Sequence, residues 1–172
     1  CNVIGIEKRK DIVDMTNAGE PHFREKGLKD TLKRVLKSGK FKCKSQFDPK
    51  FSSDIYIITV GTPLDKEGKA RLDIIEVATN EVAENMKDGA LVILRSTVKV
   101  GTTRNIVAKV LEKTGKHFYI AMCPERTLEG KALEELRELP QIIGADNDET
   151  RTKASSIFRK LTKKLVEVSS LE

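Results

Sequence analysis

Glu125, Arg126 and Glu129 stand together in the segment CPERTLEG, residues 123–130. Carboxylates and a guanidinium gathered at the end of a strand are the groups from which a polar ligand site is built. The apolar run Phe118 to Met122 reads as that strand, and Pro124 and Gly130 shape the turn that follows it. In open α/β sheets the ligand crevice lies outside the carboxyl ends of the strands. A polar loop with its charges in water is the competing reading of the same residues.

The elements that must position such a site follow from the hydrophobic pattern. Val3 to Ile6 reads as a strand and Asp11 to Thr16 as a short helix. Leu28, Leu32, Val35 and Leu36 have helical spacing that Gly39 stops, and Phe41 to Ser45 is a short strand. Ile55 to Val60 is β-branched and continuously apolar, as a strand covered on both faces is. A helix capped by Asp73 carries Ile74, Ile75, Ala78, Val82 and Met86. Ala90 to Leu94 is a buried strand, and Thr102 or Thr103 caps a helix bearing Ile106, Val107, Val110 and Leu111 up to Gly115. After the Phe118 strand come a helix over Ala132 to Leu139, a brief strand at Ile142 and Ile143, and a helix capped by Asp148. That last helix turns Ala154, Ile157, Phe158, Leu161 and Leu165 inward, before a terminal strand at Val166 to Val168. This alternation predicts an α/β fold with a doubly wound, mostly parallel sheet and helices on both faces.

Composition narrows the ligand. At 172 residues with 38% hydrophobic and 34% charged residues, the chain forms one globular domain, or one and a small part of another. No apolar run approaches the ~20 residues of a membrane span, so no membrane partner is expected. The net charge of +6 suits an anionic ligand. Its lysines are interleaved with acids and aromatics make up 5%, so a phosphate-bearing small molecule is favoured over nucleic acid. Cys1, Cys43 and Cys123 are odd in number and lack metal-ligand spacing, which fits a reducing cytoplasm. With only His22 and His117, no metal site is expected.

Three further strand ends repeat the polar pattern. The first strand ends at Glu7; an acid at the second strand of a dinucleotide-binding fold accepts hydrogen bonds from the adenosine ribose and disfavours a 2′-phosphate. An ordinary surface glutamate beside Lys8, Arg9 and Lys10 is the alternative. The Ile55 strand runs into Gly61, Thr62 and Pro63, where glycine lets a ligand approach the backbone. The Ala90 strand runs into Ser96 and Thr97, then Gly101 and two threonines at a helix start, a natural phosphate site. Turn and cap chemistry explains each alone; a row of successive strand ends is harder to explain that way.

In order and spacing, the VIGIE strand, NAGEPHFREKGL, VGTP, STVKVG, CPERTLEGKALEEL and the PQIIG strand resemble the UDP-glucose/GDP-mannose dehydrogenases, which oxidise nucleotide sugars at C6. The resemblance covers nearly the whole chain and implies a Rossmann-like fold, NAD as cofactor, a UDP-sugar substrate and a homo-oligomeric full-length protein. It implies that Glu7 holds the adenosine ribose, that Thr62 and Thr97 line the NAD site, and that Glu129 lies near the nicotinamide. Glu125 resembles the family's acidic catalytic residue, assisting hydrolysis or orienting water. Arg126, Thr127 and Leu128 occupy positions that contact the nucleotide sugar, partly through backbone groups. CPER followed by an apolar residue resembles the branch acting on UDP-N-acetylmannosamine, whereas Glu129 resembles the UDP-glucose branch. A basic residue that often follows the ribose-binding acid is replaced by Ile12.

The family's reaction captures an aldehyde on a cysteine thiolate and hydrolyses the resulting thioester. By resemblance that cysteine, with a catalytic lysine and asparagine, belongs to a segment beyond Glu172, so Cys123 reads as a packing residue. A glycine fingerprint stands roughly 20 residues before the ribose acid in such folds, whereas Glu7 is the seventh residue and Cys1 opens the chain. The sequence therefore reads as the N-terminal NAD-binding domain of a longer dehydrogenase, incomplete at its start, with its first strand missing and inactive by itself. Since that strand sits beside both Val3 to Ile6 and Ile55 to Val60, a gap or a rearranged sheet is expected. Two other readings stand: a related dehydrogenase acting on a hydroxy acid, and a non-catalytic nucleotide-binding module.

Overall fold

The computed structural model describes residues 1–48, 50 and 52–172. Along them run β1 (Val3–Ile6), α1 (Lys10–Asn17), α2 (Leu28–Lys37), β2 (Phe41–Lys44), β3 (Ile55–Ile58), α3 (Asp73–Asn85) and β4 (Ala90–Leu94). Wide π-type turns over Thr103–Ala108 then lead into α4 (Lys109–Glu112). The remaining elements are β5 (Phe118–Met122), α5 (Ala132–Glu138), β6 (Gln141–Gly144), α6 (Asp148–Phe158) and β7 (Leu165–Val168). The α/β class and the mostly parallel pairing agree with the sequence reading. The described strands, however, form two sheets: β1 with β2, and β3-β4-β5-β6-β7.

The chain divides into two compact units, one of residues 1–51 and 127–137, the other of 52–126 and 138–172. In the first, β1 and β2 are parallel from Val3↔Phe41 to Ile6↔Lys44. The Asn17 amide brackets β2: its Nδ2 donates to the Cys43 carbonyl at 2.9 Å, and the Cys43 N–H donates to its Oδ1 at 3.0 Å. A side chain at the end of α1 thereby satisfies backbone groups of β2. Among its described residues, Ile12, Val13, Leu32 and Cys43 are buried and apolar, and Gly39, at a φ of +69°, follows α2 as expected.

In the second unit, β4 is buried at all five positions, so both its faces are covered. On one face Leu91 and Ile93 join Ala121, Cys123, Ile143, Ala145, Ala154 and Phe158 in a continuous core with α6. Strand alternation sends Val92 and Leu94 to the opposite face. Ile75, Val107 and Leu111 are fully buried as well, and each such side chain contributes about 2 kcal/mol by leaving water. β3 pairs parallel with β4, and β4 with β5. β6 meets β5 antiparallel through Met122↔Gly144 alone, then pairs parallel with β7.

Four details depart from the sequence expectation. Asp73 is the first helical residue rather than the cap, and its carboxylate is taken by Arg71 at 2.6 Å. Asn147, not Asp148, caps α6, accepting from the Thr150 N–H at 2.8 Å. Thr102 and Thr103 are buried and Thr102 makes no side-chain cap bond. α6 ends at Phe158, which leaves Leu161 exposed and places Leu165 in β7. The buried face of α3 also includes Thr79, whose hydroxyl donates to the Ile75 carbonyl at 2.7 Å.

Candidate functional site

At the carboxyl ends of β3, β4 and β5 the parallel ladder continues into the polar segments and fastens them together. The Arg95 N–H donates to Ile58 O, Cys123 N–H to Leu94 O and Glu125 N–H to Arg95 O, each at 2.9 Å. Hydroxyls extend the stitching: Ser96 Oγ donates to Val60 O at 2.7 Å, and Thr62 Oγ1 to Thr97 O at 2.8 Å. The structure thus brings Thr62 and Thr97 together, as the polar row in the sequence suggested. Among the described residues nothing crowds Gly61: a Cβ there would meet Pro63 Cδ at 4.0 Å. The backbone at this strand end is therefore open to a ligand.

Glu125 leaves the end of β5 with its side chain about one-third exposed. One carboxylate oxygen, Oε1, accepts from the Arg126 N–H at 2.8 Å; the other pairs with the Arg95 guanidinium. Arg95 is buried and reaches two more acceptors, the Cys123 carbonyl at 3.1 Å and Gln141 Oε1 at 3.0 Å. Arg126 is exposed, and its guanidinium donates to the Pro140 carbonyl. A cavity of about 260 Å³ has both Thr97 and Pro124 in its wall, together with Thr103, Met122, Ile142 and Leu171.

The other site candidates belong to the first unit. Glu7 is half-buried at the end of β1; its N–H donates to Lys44 O at 3.0 Å and its Oε1 accepts from Arg9 N–H at 2.8 Å. A cavity of about 390 Å³ opens past the end of β2, lined by Val13, Lys44, Ser45, Gln46, Phe47 and Asp48. Asp48 is held below the usual carboxylate range by the Lys50 N–H and by Lys44. In the CPERTLEG segment, Thr127 is half-buried while Leu128 and Glu129 are exposed. Their loop is fastened by two carboxylates: Glu135 Oε2 accepts from Leu128 N–H at 2.7 Å, and Glu25 Oε2 from Gly130 N–H at 2.8 Å. Gly130, at a φ of +86°, takes a conformation that other residues rarely adopt.

Cys123 lies in the core at 1% exposure, and burial pushes its thiol up to about 12. A thiol that holds its proton so firmly is a poor nucleophile. Among the described residues no three His, Cys, Asp or Glu side chains converge as a metal site, and no helix is long and apolar enough to cross a membrane.

A parallel sheet whose strand ends carry this polar row defines a Rossmann-like nucleotide-binding domain. The chain belongs to the UDP-glucose/GDP-mannose dehydrogenase family, whose NAD binding domain it matches over residues 1–162. It is 34% identical over 167 residues to the UDP-N-acetyl-D-mannosamine dehydrogenase of Pyrococcus horikoshii, covering 94% of this chain and 40% of that protein. It is 36% identical over 160 residues to the enzyme of the same name from Methanococcus aeolicus, covering 91% of this chain and 36% of the relative. The solved structure of the UDP-D-ManNAc dehydrogenase from Pyrococcus horikoshii superposes with a TM-score of 0.92 at 31% identity, over 99% of this chain and 42% of that one. The chain thus spans about two-fifths of the length of these relatives.

The residues present fit the cofactor of that family in part. Within the first unit, Glu7 places a half-buried carboxylate at the end of β1 and a cavity the size of a small-molecule site opens past β2; within the second, Thr62 and Thr97 offer polar groups at the ends of β3 and β4. Arg95 and Gln141 join the site through contacts between distant strands. The signal for Arg95 was a charge abutting a five-residue buried run, at the level where the next strand ends in a carboxylate.

Proposed function

We propose that a protein carrying this chain at its relatives' full length oxidises UDP-N-acetyl-D-mannosamine at C6 to the uronic acid. Two NAD molecules, bound in turn, would accept the two hydrides of this four-electron oxidation. Glu7 binds the adenosine ribose, Thr62 and Thr97 line the cofactor site, and Glu129 lies toward the nicotinamide. Arg126, Thr127 and Leu128 hold the nucleotide sugar, the last two from a loop that Glu135 and Glu25 fasten at the Leu128 and Gly130 N–H groups. Glu125 orients the water that releases the acid and accepts its proton. The geometric observation that carries the reading is Glu125 itself: a partly exposed carboxylate with both oxygens held by donors, at the end of a parallel strand. The relatives' names favour the mannosamine substrate.

Glu129 favours UDP-glucose as a second reading, which a panel of UDP-sugars separates. The proposal extends to a homo-oligomer in the cytoplasm. Cysteines that are unpaired throughout fit that compartment.

Calorimetry on the full-length protein tests binding: NAD and UDP-N-acetyl-D-mannosamine both bind, and binding of neither would turn the reading toward a non-catalytic module. Glu125→Gln lowers kcat about 100-fold, the scale of a lost general base, with KM nearly unchanged. Unchanged turnover removes Glu125 from its assigned role.

A further inference from the structure

Arg95 follows β4 without a break and sits with its side chain nine-tenths buried. A guanidinium in such a place carries a desolvation cost that only well-placed partners offset. Three of its partners are independent of Glu125: the Cys123 carbonyl, Gln141 Oε1 and the ring of Phe158, 5.0 Å from its central carbon. The carbonyl belongs to the residue just past β5, Gln141 begins β6, and Phe158 ends α6. The fork is therefore set by the fold before Glu125 is considered, and one of its Nη2 bonds is aimed at Glu125 Oε2. With Oε1 on the Arg126 N–H, the carboxylate is held at both ends.

Resting on the reading of Glu125 given above, we propose that Arg95, seated by Gln141 and Phe158, is the positioning residue for Glu125. It fixes the carboxylate's rotamer and register at the strand end and does not itself contact substrate. Lysine keeps the charge but cannot spread directed donors over three acceptors in one plane, so it replaces arginine only in part.

The test is a double-mutant cycle on NADH formation from the preferred UDP-sugar by the full-length protein. Arg95→Gln lowers kcat about 100-fold, close to Glu125→Gln, with KM nearly unchanged. The double variant is no slower than Glu125→Gln alone, because residues acting as a unit are not additive. Arg95→Lys recovers part of the loss. Multiplying effects, about 10,000-fold in the double variant, would overturn the positioning role. So would an Arg95→Gln variant that raises KM and leaves kcat intact. If Arg95→Gln fails to fold, Arg95→Lys takes its place in the cycle with the same two outcomes. Unchanged turnover in Glu125→Gln would strike the underlying reading instead, so the two failures are distinguishable. The same cycle on thermal midpoint gives a second readout: non-additive shifts support the pair, and additive shifts contradict it.

Discussion

Cys123 stands two residues from the carboxylate that we assign to catalysis, yet its chemistry is closed. Burial raises its thiol to about 12, and the nearby Arg95 charge only partly opposes this. Cys43 is raised too, by burial first and then by the negative charge of Glu7. We predict that iodoacetamide at neutral pH labels the exposed Cys1 of the folded chain and spares the other two, read by peptide mass spectrometry. Rapid labelling of Cys123 would contradict its packing role. A pH dependence follows with its sign fixed. The unfolded thiol releases its proton near 9.0 and the folded one near 12, so burial of Cys123 stabilises the fold fully below the lower value. That stability is lost as pH rises between the two values; relative to Cys123→Ala, the native chain weakens over that range, and parallel stability curves would contradict this. At this scale the placement of Glu125, Thr62 and Thr97 at strand ends was legible, because apolar runs stop at polar residues there. Arg95 and Gln141 were not, because their importance lies in partners 30 and 46 positions from Arg95 along the chain.

Elements were legible in their cores and less so at their ends. Apolar runs and helical spacing located the strands and helices, since burial of a face is written directly into residue periodicity. Capping depends instead on one residue's backbone angles. Asn147 has an extended φ of −137° and ψ of 158°, which lets its side chain turn back to the Thr150 N–H. Asp148 is already helical, and its carboxylate faces Arg151. The expected outcome is that Asn147→Ala costs about 1 kcal/mol in a urea titration. Asp148→Ala costs less than about 0.5 kcal/mol, the scale of an exposed ion pair. The reverse order would mean that the cap was assigned to the wrong residue. The antiparallel join of β5 and β6 was equally hidden, because strand direction is not encoded in the composition of either strand.

At the scale of the whole molecule, the sequence implied a strand beside both β1 and β3, and the described strands form two sheets. Each edge strand shows apolar side chains to solvent: Val3 and Ile4 on β1, Ile55 and Ile57 on β3. β3 is therefore covered on one face only, that of Tyr56 and Ile58, and not on both as its apolar run suggested. The chain spans about two-fifths of its relatives' length. We propose that its polar row supplies only part of the chemistry. The most direct measurement is therefore NADH formed per UDP-N-acetyl-D-mannosamine consumed, with the full-length protein and the 172-residue chain assayed side by side. The account predicts two NADH per sugar from the full-length protein and none from the chain alone. NADH formation by the chain alone, or a full-length protein that binds NAD and reduces none with any UDP-sugar, would contradict it.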